Sequence, residues 1–85
     1  MTELRGTVIG VNKRRGYLAV QIDDGPVSVL ELTSGPMPAV DDRGRGDLTG
    51  LANGVVRNMS RECDFRARVH ATACNLATAL GLLNR

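Results

Sequence analysis

Tyr17-Leu18-Ala19-Val20-Gln21-Ile22-Asp23-Asp24-Gly25-Pro26-Val27-Ser28-Val29-Leu30-Glu31-Leu32 is the stretch whose reading decides the fold. Its first six residues alternate, with Leu18, Val20 and Ile22 on one face and Tyr17, Ala19 and Gln21 on the other. That period of two belongs to a half-buried strand. Asp23-Asp24-Gly25-Pro26 is turn chemistry, because Asp and Gly accept the unusual backbone angles a tight reversal needs and Pro cannot continue a ladder. Val27 to Leu32 then returns as a second strand. Its apolar phase breaks between Val29 and Leu30, which predicts a bulge there.

Upstream, Leu4 to Val11 is rich in β-branched residues (Thr7, Val8, Ile9, Val11) and is interrupted by Gly6 and Gly10, as a strand that curls into a small barrel would be. Asn12 to Gly16 is a polar, basic turn. Downstream, Thr33 to Gly46 reads as the longest irregular segment, holding Pro36, Pro38 and several glycines. Asp47 to Leu51 and Gly54 to Met59 read as two short strands joined at Ala52-Asn53-Gly54. Phe65, Ala67, Val69 and Ala71 alternate with Arg66, Arg68, His70 and Thr72, giving a strand with a basic outer face. The period then lengthens: Ala73, Leu76, Ala77, Leu80 and Leu83 share one face of a helix over about 73–83, with Thr72 as its N-cap. Close-spaced strands, frequent turns and one terminal helix predict a mainly β protein. The expected architecture is a small five- or six-stranded barrel of the OB or SH3-like kind with a C-terminal helix, one domain over 1–85. Val8, Leu18, Val20, Ile22, Leu32, Phe65 and Val69 are the expected core.

Composition narrows the function. Of 85 residues 42% are hydrophobic, yet Tyr17 and Phe65 are the only aromatics, so the core must be aliphatic. The formal net charge is only +2. Its basic residues are clustered, however, in Lys13-Arg14-Arg15 and more loosely in Arg57, Arg61, Arg66 and Arg68. No run approaches the length of about 20 apolar residues that spans a bilayer. The start of the chain has no apolar leader, and two cysteines without one read as reduced thiols, so a cytoplasmic location is expected. Cys63, His70 and Cys74 lack the close Cys pair of structural zinc sites, and no metal or other cofactor is expected. The sequence holds no nucleophile elbow, metalloprotease helix or phosphate-binding glycine loop, and an enzyme is not expected.

Arg5-Gly6-Thr7-Val8, Asn12-Lys13-Arg14-Arg15-Gly16-Tyr17 and Asp23-Asp24-Gly25 together resemble a cold-shock domain over Arg5 to Leu32. The resemblance implies a barrel that binds single-stranded RNA or DNA on outward aromatics of its first three strands. Here those outward positions hold Ile9, Val11, Ala19, Val29 and Glu31, with Tyr17 alone kept. The expected ligand site is therefore Lys13, Arg14, Arg15 and Tyr17, extended by Arg66 and Arg68, binding single-stranded nucleic acid weakly through phosphates and one stacked base. The alternative is a protein-interaction or self-association module, pairing with itself through the C-terminal helix, that has lost nucleic-acid binding.

Overall fold

A computed structural model describes residues 3–50 and 54–84. Six strands precede one helix: β1 (Leu4–Asn12), β2 (Tyr17–Ile22), β3 (Val27–Ser34), β4 (Arg43–Gly46), β5 (Gly54–Asn58), β6 (Cys63–Cys74) and α1 (Leu76–Leu83). All pairings are antiparallel, and the strands close into a barrel in the order β1-β2-β3-β6-β5-β4. Closure removes the unpaired strand edges that would otherwise invite aggregation.

The β2–β3 hairpin forms as its sequence dictates. Tyr17 opposes Glu31 and Gln21 opposes Val27, and Asp24 takes a left-handed backbone (φ 56°) in the turn. Register shifts fall between Val8 and Gly10 and between Val29 and Leu30. The first leaves Ile9 as the extra residue and turns it to the outside, while Val11 returns to the inner cluster. Val8, Leu18, Val20, Ile22 and Phe65 fill the barrel together with Leu30, Val56 and Ala67. Leu32 and Val69, expected in the core, are only partly buried against it. Gly35 explains part of the closure: it sits at φ +91°, and a Cβ there would lie 2.9 Å from the Phe65 Cα, so only glycine lets this loop cross β6.

Three expectations are corrected. The segment read as irregular contains β4, Arg43-Gly44-Arg45-Gly46, whose glycines face inward against Val56. Asp47 to Gly50, read as the start of a strand, is a turn that drops Leu48 into the core, fully buried. The Asn53 half of the expected Asn-Gly reversal lies outside the described residues. Finally, the helix starts at Leu76 rather than near Ala73. β6 runs on to Cys74, Ala73 adopts φ 55°, and Asn75 rather than Thr72 caps the helix, its side-chain oxygen accepting from the Thr78 amide at 2.8 Å. Thr72 is instead held in the strand, its hydroxyl 3.1 Å from that of the buried Ser28.

Candidate nucleic-acid interface

A second apolar cluster lies outside the barrel, and it governs the site. Ala19, Val27 and Val29 on the outer faces of β2 and β3 are buried against Ala79 and Leu83 of α1, with Ile9, Tyr17, Ala71, Leu80 and Leu82 packed around them. The helix touches β1, β2, β3 and β6 and neither β4 nor β5. The small outward residues follow from this: Ala19 and Val29 leave room for a helix to lie flat on the sheet. Gly10 does the same, since a Cβ there would sit 2.7 Å from a Leu83 methyl. Three of the outward positions where the cold-shock resemblance placed a base-stacking surface, Ile9, Ala19 and Val29, are thus covered by the chain's own helix, whereas Val11 turns inward and Glu31 pairs with Arg68.

The helix uses a different face from the one read in the sequence. Ala79, Leu80, Leu82 and Leu83 turn to the barrel, whereas Leu76 is 54% exposed and Ala77 is exposed. The helix begins three residues late, at Leu76, and the face it presents is set by where β6 ends and Asn75 caps it, not by the periodicity of its leucines. Leu82, outside the stripe read from the sequence, also packs on this outer cluster.

The turn after β1 is built by Asn12. Its backbone oxygen accepts from the Gly16 amide at 2.8 Å and its side-chain oxygen from the Arg15 amide at 3.2 Å. Its amide nitrogen donates to the Leu83 carbonyl at 2.6 Å, tying the turn to the end of α1. Gly16 (φ 75°) completes the reversal, and its carbonyl receives the Leu32 amide. Lys13, Arg14 and Arg15 are left exposed, without a side-chain hydrogen bond or ion pair among the described residues.

Tyr17 follows directly, half-buried, and its ring stacks on His70 with centroids 4.9 Å apart and planes 23° from parallel. One ring face is therefore taken by another side chain. Arg68 stands beside it in the row Tyr17–Glu31–Arg68, and its guanidinium hydrogen-bonds to Glu31. Arg66 is exposed at the same end of the sheet, opposite Ser34 on one side and Val55 on the other. The six expected site residues therefore share one end of the barrel, but only the turn presents unneutralised charge. Cys63 and Cys74 stand at opposite ends of β6, so the strand keeps them apart, and His70 is engaged by Tyr17.

Other arginines are spoken for or regrouped. Asp23 receives Arg43 bidentately at 2.8 and 2.7 Å, which holds its carboxyl below the usual range and raises the arginine. Arg61 donates to Asp42 at 2.8 Å and Arg57 to Asp64 at 3.3 Å. Arg5, Arg45 and Arg57, which the sequence reading did not connect, become direct neighbours across β1, β4 and β5. The Arg-Gly-Arg-Gly alternation of β4 was the available signal, with charge out and no side chain in. No family model, no curated protein and no solved structure matches this chain.

Proposed function

We propose that this chain is a non-enzymatic binding module that holds single-stranded nucleic acid weakly, by its phosphates, through the Lys13-Arg14-Arg15 turn. The observation that supports this reading most is the contrast in charge pairing. Arg43, Arg45, Arg57, Arg61 and Arg68 each have a carboxylate within 4.0 Å, while the three cations of the turn have none. Unpaired exposed cations at one loop are what counterion-releasing phosphate contacts require. Tyr17 contributes little, because His70 already covers one face and α1 crowds its side. Binding of this electrostatic type has a Kd of about 10⁻⁴–10⁻⁶ M at physiological salt and tightens steeply as salt falls.

Reversing Lys13, Arg14 and Arg15 to Glu abolishes binding of a labelled dT or rU oligomer, read by fluorescence anisotropy at low and physiological salt. Tyr17→Ala changes the affinity by less than the roughly 1–3 kcal/mol that a freely stacked base contributes. A second reading, a protein-interaction module, is favoured by one observation: α1 covers the outer sheet face while leaving Leu76 54% exposed. No anisotropy change even at low salt selects that reading.

A further inference from the structure

The barrel assembles a row of like charges on the side that α1 does not reach. Arg5 on β1 lies directly opposite Arg45 on β4, and Arg45 directly opposite Arg57 on β5. Neighbouring strands are about 4.8 Å apart, so three guanidinium stems stand in a line about 10 Å long. Cross-strand like charges disfavour the pairing that places them together. Elsewhere on the outside this barrel does the reverse, opposing Glu31 to Arg68 and Arg57 to Asp64. The row is an exception to the molecule's own pattern.

Nearby carboxylates relieve it only through exposed pairs. Glu3 reaches Arg45 at 3.7 Å, Asp64 reaches Arg57 at 3.3 Å, and both pairs are solvent-exposed. Pairs of that kind are weak and exchange readily for a better anion. The Arg5 side chain makes no hydrogen bond or ion pair among the described residues and adds only its charge to the surroundings of Asp23. Arg43, next along β4, is by contrast fully engaged by Asp23 and Thr7. Among the described residues α1 packs on neither β4 nor β5, and the glycines of β4 face inward, so its outer face carries only arginines.

We infer that Arg5, Arg45 and Arg57 form a second phosphate-binding surface, separate from the Lys13–Arg15 turn, that takes consecutive phosphates of a nucleic-acid backbone running across β1, β4 and β5. A line of regularly spaced guanidiniums matches a ligand whose charge repeats, as a phosphodiester chain does with one charge per about 3.4 Å of axis per strand in a duplex. A lone phosphate or carboxylate would be met by convergent donors instead. Arginine also grips phosphate oxygens with two parallel N–H donors. With neither Tyr17 nor Phe65 on this face, recognition is indifferent to base identity. The shared chemistry is the phosphodiester backbone, and single-strand and duplex arms of the test separate its two sources.

The test uses the full chain, a labelled dT oligomer and a labelled short duplex, titrated at several salt concentrations. R5Q/R45Q/R57Q is expected to lower affinity about tenfold or more at low salt for at least one of the two. It also flattens the slope of log K against log salt by about 2 for single strands, three contacts at about 0.7 each. R5K/R45K/R57K, which keeps the charge, retains most of the slope. Should the triple glutamine variant fail to fold, R45Q at the centre of the row takes its place, with a slope change of about 0.7. K13Q/R14Q/R15Q, run in parallel, separates this inference from the function proposed for the turn. Loss confined to the turn variant, unchanged slopes in the glutamine variants, or no binding by the parent overturns the inference.

Discussion

Asp42 gathers three donors on one carboxylate oxygen: the Ala39 amide at 3.0 Å, the Asn58 side chain at 2.9 Å and the Arg61 Nε at 2.8 Å. Asn58 is itself buried, and its own oxygen accepts from the Ser60 and Arg61 amides, so this cluster ties the loop before β4 to the β5–β6 turn. The carboxyl is held below its ordinary value, first by the Asn58 amide, then by the Ala39 amide, with Arg61 adding to both. A folded-state pKa depressed in this way contributes stability that is fully present above the ordinary value of 3.8 and is lost as pH falls through the folded value. Asp42→Ala leaves the buried Asn58 amide without its acceptor and costs about 1–3 kcal/mol at neutral pH. Melting curves of parent and variant should therefore lie apart at pH 7 and draw together below about pH 3.8. An unchanged gap at low pH would mean that Asp42 acts through packing and not through its charge.

At the scale of elements, α1 shows how packing overrules periodicity. Sequence spacing put Leu76 and Leu83 on one buried face, yet Leu83 is 2% exposed and Leu76 54% exposed. Leu83→Ala should cost about 2 kcal/mol or more, as the removal of a buried leucine does, although the backbone carbonyl that Asn12 grips stays in place. Leu76→Ala should stay within about 0.5 kcal/mol of the parent. Thermal or denaturant unfolding of the two variants side by side decides between the faces. Equal losses would restore the stripe read from the sequence. Strand β4 makes the same point: four residues with no apolar side chain form a strand because β1 and β5 supply partners for it on both sides.

For the whole molecule, the distribution of charge and apolar surface matters more than the net charge of +2. Basic side chains collect in two places, the turn after β1 and the row across β1, β4 and β5. The outer face that would otherwise be the largest apolar surface is sealed by α1. Among the described residues the large apolar side chains left exposed are Val40, Val55 and Leu76. They stand in separate segments, a loop, β5 and the helix, and scattered exposure of this kind is ordinary for a monomer. Light scattering at high concentration should accordingly return the 9.1 kDa mass of one chain. A doubled mass that Leu76→Asp halves would instead place the self-association reading first.

Local pattern alone determined a good deal of this protein. The alternation of Tyr17 to Ile22, the Asp-Asp-Gly-Pro reversal and the phase break at Val29-Leu30 each follow from constraints on a few adjacent residues, and each appears where the sequence put it. The Lys13-Arg14-Arg15 turn was legible for the same reason, since its reversal is built by Asn12 and Gly16 from within. Only the tertiary structure decided what covers the outside of the sheet and which strands become neighbours. Ala19 and Val29 look like vacant aromatic positions until a helix far along the chain, through Ala79 and Leu83, lies on them. Arg5, Arg45 and Arg57 are unrelated in sequence until barrel closure pairs β1 with β4 and β4 with β5. A period of two or of 3.6 states which face of an element is apolar. It says nothing of the surface that meets that face, because this is set by long-range pairing and by the volume each neighbour leaves to be filled.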